Sequence, residues 1–468
     1  MNLTASSKQV ALTLRPRSVE PADGTLSLPR FLFQFVQNPL RVVPEEAYRE
    51  GLVVRQRPRT GAKTAWIVDP DLIEEILVRN AGATVKSDLL KRALGRSIGD
   101  GILTSEGALW RWQRRIMAPL FRAQDIQAYV PVMANAAGEQ TASWRSQGSG
   151  WKRIDQDMTG TTFSVIARTM LAGGEPAETG IIKNATERYL SHISWEIAYA
   201  IFKIPPWMPH PGSLWMRRAA HALRTSVQTL ISRRRGENAA SKPEAEDLLS
   251  RLLAARDPDT GEPMSDTQLV DNLLTLLEAG HETTAKALTW TLYLLARAPE
   301  WQSAARAEVK RVAGTETITA AHLLLLPIVH QVLKESMRLY PPAPAITRTF
   351  TGPLTIGGVK FNPGDNAIFP VFCIHRHRRL WANPDCFDPT RFAADLEKTY
   401  PRMQYMPFGA GPRICLGSAF AMTEAAVLLA AFLRDAAFDW DGKHEPEPIS
   451  RITLRPRGGM RLHVDVQP

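Results

Sequence analysis

Cysteine is scarce in this chain: Cys373, Cys386 and Cys415 are the only three in 468 residues. So small and odd a number excludes a disulfide framework and suits a reducing compartment, so the chain is expected in the cytoplasm. Cys373 stands in Cys373-Ile374-His375-Arg376-His377, yet neither its spacing nor a second ligand pair fits a structural zinc site. Long apolar runs are missing from the N-terminus. Residues 1–30 are polar, with scattered Ser, Thr, Pro and Arg, so neither a membrane anchor nor a signal peptide is expected there. Residues 1–23 are expected to form a poorly ordered tail. No nucleic-acid motif accompanies the basic surplus of 57 Lys and Arg over 47 Asp and Glu, and no internal repeat is present.

What remains is an ordinary globular composition, 44% hydrophobic and 22% charged, with ample material for a large core. Near the C-terminus stands Phe408-Gly409-Ala410-Gly411-Pro412-Arg413-Ile414-Cys415-Leu416-Gly417. Its glycines let the chain double back with positive φ and approach a flat ligand closely. The loop delivers Cys415 to the start of an apolar helix. There the positive end of the helix dipole and the loop N–H groups favour the thiolate, which makes Cys415 a candidate metal ligand. Phe408 is placed to shield the sulfur, and Arg413 to reach a carboxylate.

Upstream, Val53 to Arg57 and Thr64 to Val68 read as paired strands around Thr60-Gly61, and Asp69-Pro70-Asp71 opens a helix through Asn80. Residues 81–104, with scattered glycines, read as a mobile loop. Trp110 and Arg114 share a helix face four residues apart. Between Ile181 and Arg235 two helices are separated by the proline-rich segment Ile204 to Gly212, and Glu237 to Glu246 reads as a polar connection. Ser265-Asp266-Thr267-Gln268 is a capping box opening a helix that runs to Arg297 before Pro299. Gly280 and the Thr283-Thr284 pair predict a local bulge within it. Glu335 and Arg338 form an i,i+3 ion pair, and Pro341-Pro342 stops their helix.

The loop around Cys415 resembles the haem-binding signature of the cytochrome P450 family, Phe-Gly-x-Gly-x-Arg-x-Cys-x-Gly, at every specified position. The resemblance implies a mainly α fold, a large helical domain with a small β-rich lobe, spanning residues 24–468 as one domain. It implies haem b with Cys415 as proximal ligand, Phe408 and Gly409 in the haem loop, and propionates held by Trp110, Arg114, Arg348 and Arg413. Ala279-Gly280-His281-Glu282-Thr283-Thr284 matches the family's oxygen-activating motif: Ala279 lies against the haem, Gly280 leaves room for dioxygen, Thr283 hydrogen-bonds it and Glu282 relays protons. Glu335, Arg338 and Arg391 match the fold-holding trio. Ile98, Ile102, Leu103, Ala345, Ile346 and Leu454 are the implied substrate contacts.

A soluble, bacterial member is expected, hydroxylating or otherwise oxidising an apolar molecule of fatty-acid or terpenoid type with dioxygen. No flavin or iron–sulfur motif follows Cys415, so electrons are expected from a separate acidic ferredoxin or flavodoxin and its reductase. The basic clusters at Arg111 to Arg115, Arg233 to Arg235 and His375 to Arg379 are candidate docking charge. Two other readings stay open: a peroxide-driven peroxygenase or isomerase, and a non-catalytic haem sensor.

Overall fold

A computed structural model describes residues 14–24, 26–56, 61–170, 176–201, 204–205, 207–240 and 247–466. The chain divides into two compact units, Met1–Val85 with Met133–Thr161 and Thr283–Pro468, and Lys86–Val132 with Thr162–Glu282.

The first unit carries the five-stranded sheet. Its strands are β1 (Leu52–Gln56), β2 (Lys63–Ile67), β3 (Thr84–Lys86), β4 (Ile346–Phe350) and β5 (Asn366–Phe369), in the order β1-β2-β5-β4-β3. β1 and β2 pair antiparallel with Leu52 opposite Ile67, and β2 runs parallel to β5. Val53, Ala65, Ile67, Ala367 and Phe369 bury one core, in which Phe350 stacks on Phe361 at 4.7 Å. The predicted turn at Thr60 lies outside the described residues. The segment expected to be loose as far as Asp23 is tied down from Leu14 onward: the Leu14 carbonyl accepts from the Phe387 amide, and the Ala22 amide donates to Val43. Val19 and Ala22 are buried.

In the second unit, residues 88–98, read as part of a mobile loop, form the helix α1 (Asp88–Ile98). The glycines there serve close approach rather than freedom. A Cβ on Gly99 would lie 2.2 Å from Asp271 Oδ1, and one on Gly101 2.1 Å from Thr275 Oγ1. The amides of Asp100 and Ile102 donate to the side chains of Asp271 and Asn272 at 2.9 and 2.8 Å. Trp110 and Arg114 lie on α2 (Gly107–Met117), and the later helix α3 (Ile154–Met170) belongs to this unit from Thr162 onward. A later helix, Ser213–Ala240, takes in Glu237 to Ala240, which were expected in a connection; residues 241–246 lie outside the described ones.

The helix α4 (Asp266–Arg297) contributes to both units. Its capping box forms as predicted, the Ser265 amide donating to Gln268 Oε1 at 2.8 Å and the Gln268 amide to Ser265 Oγ at 3.3 Å. Thirty-two residues make a rod of about 48 Å. The predicted bulge is absent, and α-helix continues through Gly280. Gly280 instead admits a neighbour, since a Cβ there would lie 2.9 Å from Ile166 Cδ1. Back in the first unit, α5 (Pro327–Leu339) starts where Glu308 accepts from the Ile328 and Val329 amides at 3.0 and 3.1 Å. The last helix, α6 (Ser418–Asp435), is almost wholly buried beyond its first turn.

Candidate functional site

Within the first unit the Cys415 loop closes on itself. The Cys415 amide donates to the Phe408 carbonyl at 2.9 Å, and the Ile414 amide to Gly411 at 3.0 Å. Gly409 and Gly411 take φ of 76° and 68°, whereas Gly417, at −90°, does not need the left-handed region. Cys415 itself is exposed, three residues before α6. A Cβ on Gly411 would stand 1.9 Å from the Leu77 carbonyl oxygen, and one on Gly409 3.3 Å from Ile346 Cδ1. Ile346 is thereby brought beside the cysteine loop.

The loop is anchored to a buried charge cluster. All five guanidinium N–H groups of Arg338 donate: to Glu335 Oε2 and Oε1 at 2.6 and 2.7 Å, and to the carbonyls of His375, Pro384 and Cys386 at 2.7, 2.6 and 2.9 Å. Arg391 completes the predicted trio as an ion pair, its Nε 3.5 Å from Glu335 Oε1. His375, which from sequence opens a basic cluster offered as docking charge, is instead fully buried. Its Nε2 accepts from the Met406 amide at 3.0 Å, two residues before Phe408. Burial, aided by the Arg338 charge, pushes His375 down to about 3, so it stays neutral and keeps that acceptor lone pair.

α4 supplies a second feature. From Leu269 to Leu295 every residue is buried except Leu276, Ala279, Gly280 and Thr283. Those four recur at i, i+3, i+4 and i+7, which is one face of a helix. Of the four, Ala279 is exposed and Leu276, Gly280 and Thr283 are half-buried, so this is the least packed face of the rod. In the second unit this helix is braced by α3: Thr162 Oγ1 donates to the His281 carbonyl at 2.8 Å, and His281 Nδ1 donates to Leu277 at 2.7 Å. Glu282 is buried beside that face.

Two buried carboxyls escaped the sequence reading, although each interrupts an apolar run. Glu278 lies one turn before Glu282. Glu424, on α6, packs beside Thr284, and burial pushes it up to about 8. A carboxyl raised in the fold from its ordinary 4.5 favours folding while protonated, so that contribution is whole below about pH 4.5 and fades as pH rises towards 8. Glu424→Gln is therefore expected to raise the thermal midpoint at pH 8 while leaving it unchanged near pH 4.5. An equal shift at both pH values would sink this assignment.

The other predicted residues divide between the units. Arg348, Arg413, Phe408, Ala345 and Leu454 belong to the first, and Trp110, Arg114, Ile98, Ile102 and Leu103 to the second. Ala345 is exposed, and the two arginines are half-buried. Leu454 is fully buried, its backbone bonded to the Trp290 indole at 3.1 Å and to Pro342 at 2.9 Å. Ile98 is fully buried on α1. Several arginines of the basic clusters are paired: Arg115 with Asp257, Arg234 with Asp247, Arg235 with Asp266, Arg378 with Glu45 and Arg379 with Glu50. Among the described residues no helix is long and apolar enough to cross a membrane.

Comparison with known proteins agrees with this geometry. The family profile described as Cytochrome P450 matches residues 33–462. A cyclooctatin synthase of Streptomyces melanosporofaciens is 32% identical over 94% of this chain and 93% of its own. An 11-oxo-beta-amyrin 30-oxidase of Glycyrrhiza uralensis is 29% identical over 84% of this chain and 76% of its own. Among solved structures, the haem domain of cytochrome P450DA superposes with a TM-score of 0.79 at 25% identity, covering 97% of this chain and 98% of that one.

Proposed function

The chain belongs to the cytochrome P450 family, and from that premise we propose that it oxidises an apolar, terpenoid-like or fatty-acid-like molecule with electrons from an acidic ferredoxin or flavodoxin and its reductase. Family membership makes it a haem b monooxygenase that uses dioxygen, a redox partner and a small-molecule substrate. When bound, the haem supplies the iron that activates dioxygen.

The residues present fit that group. Cys415 offers an exposed sulfur on a loop whose backbone closeness at Gly411 admits no Cβ. The partly open face of α4 at Ala279 and Thr283 is the observation that carries the reading, because a flat ligand needs small residues on a helix face to lie against. Cys415 would hold the iron, and Arg348, Arg413, Trp110 and Arg114 the propionates. Thr283 holds a hydroxyl proton at Oγ1, and Glu282 is the proposed relay of protons from solvent. Ile102, Leu103, Ala345 and Ile346 are the proposed apolar contacts to substrate, whereas Ile98 and Leu454, fully buried, offer no surface to one. The names of the two relatives above favour the terpenoid-like class, and the net charge of +10 suits an acidic electron donor. The acid–alcohol pair of Glu282 and Thr283 favours dioxygen over peroxide as oxidant.

Titrating the ferric protein with terpenoids, fatty acids, steroids and small aromatics is expected to shift the Soret band saturably with one class. With that class, Thr283→Ala is expected to lose on the order of a hundredfold in product formed, with reducing equivalents diverted to peroxide. Undiminished product from Thr283→Ala, or from wild type supplied with peroxide alone, would replace this reading by the peroxygenase one.

A further inference from the structure

Large apolar side chains are exposed at one corner of the second unit. Trp207 is 74% exposed, Leu214 57%, Trp215 54% and Trp195 44%, and Met208 is exposed as well. An indole is ordinarily buried or laid against a partner, so several in one short stretch of chain mark a surface that something covers.

The corner is a fixed platform. On the helix Ser213–Ala240 the exposed Leu214, Trp215, Arg217 and Arg218 form one face, while Met216, Ala219 and Ala220 are buried on the other. The Arg218 guanidinium lies 5.7 Å from the Trp215 ring. The turn before this helix is pinned to the helix Ile193–Ile201: His210 stacks on Trp195 at 6.2 Å, and Tyr199 donates to the Pro209 carbonyl at 3.0 Å. Gly212 presses on His192, whose ring would lie 2.2 Å from a Cβ there.

Its charge is of one sign. Arg217 and Arg218 make no ion pair among the described residues. Between Arg188 and Gly236 the only acidic residue is Glu196, which is buried and paired with Arg96 at 2.7 Å, so this stretch exposes no negative charge. Its backbone donors are mostly absent or used. Pro205, Pro209 and Pro211 have no N–H, and the amides of Met208, His210 and Ser213 donate to the Pro205 carbonyl at 3.1 Å, Ser213 Oγ at 2.7 Å and the His210 carbonyl at 3.0 Å. A protein partner is gripped by a rim of hydrogen bonds, and this turn has few donors to offer one. In a lipid layer the same lack is an advantage, because an unpaired backbone donor there costs free energy.

We propose that this corner is a peripheral membrane surface, seating Trp207, Leu214 and Trp215 in the headgroup layer of an anionic bilayer with Arg217 and Arg218 on the lipid phosphates. Such a surface attaches the chain without a spanning helix, and it puts the enzyme where apolar molecules concentrate. The attachment does not depend on the monooxygenase reading.

The test sediments the haem-loaded full chain with vesicles of phosphatidylcholine alone and of phosphatidylcholine with about one third phosphatidylglycerol. Binding is expected to the anionic vesicles and is expected to weaken in about 0.5 M salt. Trp207→Ser/Trp215→Ser and Arg217→Glu/Arg218→Glu, all at exposed positions, should keep the haem content and thermal midpoint of wild type, and each pair should lower the partition coefficient at least about tenfold. Arg145→Glu/Arg461→Glu makes the same change of net charge at exposed positions of the first unit and should bind as wild type does. A wild type that ignores anionic vesicles, or binds neutral ones equally, would overturn the proposal. So would a tryptophan variant that binds undiminished, or an Arg145→Glu/Arg461→Glu protein that loses as much as Arg217→Glu/Arg218→Glu, since either would reduce the effect to diffuse charge attraction.

Discussion

Arg338→Met is expected to yield no stable haem-loaded protein, and Arg338→Lys a protein whose thermal midpoint falls by more than 10 °C or so. Arg338 and Glu335 are both fully buried. Removing the guanidinium leaves the Glu335 carboxylate without its main counter-charge, a loss of about 3–5 kcal/mol. It also strips the carbonyls of His375, Pro384 and Cys386 of a charged donor, each worth about 1–3 kcal/mol when left unsatisfied. Together these approach a whole domain's stability of about 5–15 kcal/mol. Lysine keeps the charge, but its three N–H donors cannot serve five acceptors spread around a plane. Arg391 offers no rescue, because at 3.5 Å from Glu335 it contributes charge without a close hydrogen bond. The damage also reaches the cysteine loop, since His375 links the cluster to the Met406 amide. Haem retention and the melting curve should therefore fail together. A Lys variant that melts with wild type would show the cluster to be dispensable.

What could be read from sequence was local. The Cys415 loop, the Ser265 capping box, the Glu335–Arg338 spacing and the β1–β2 pair are each set by residues within about fifteen positions of one another, and each is found where its spacing put it. Residues joined over long separations were invisible. Ser97 and Glu278 stand 181 positions apart, and His375 and Met406 stand 31 apart. Charge misled for the same reason: Arg115 looked like free docking charge until Asp257, 142 positions away, was seen to pair with it. Glycine misled differently. In residues 81–104 it was read as freedom, whereas Gly99 and Gly101 are small so that the chain can press on Asp271 and Thr275. Composition cannot separate these two uses of glycine, because the difference lies in what stands opposite.

That distinction also ranks the glycines of the cysteine loop. Gly411→Ala is expected to be the most damaging single-methyl change in the motif and Gly417→Ala the mildest, although the signature treats them alike. At φ 68° an alanine is strained by roughly 1–2 kcal/mol. More severe is the new Cβ, 1.9 Å from the Leu77 carbonyl oxygen. No rotamer relieves a clash between backbone and Cβ, and Leu77 is itself buried in the core, so the loop must retreat by about 1 Å or more. The retreat carries Cys415 with it through the Ile414–Gly411 and Cys415–Phe408 hydrogen bonds. Gly409→Ala, with φ 76° and 3.3 Å to the end of the flexible Ile346 side chain, should fall between them. Gly417, at φ −90° with nothing within 4 Å of where a methyl would stand, should accept one. The measurement is the fraction of protein that binds haem and, when reduced, gives the thiolate-type carbon monoxide spectrum. It should fall in the order Gly417→Ala, Gly409→Ala, Gly411→Ala. A Gly411→Ala protein with full thiolate signal would mean that the Leu77 contact does not hold the loop, and that the strain at this turn is relieved elsewhere.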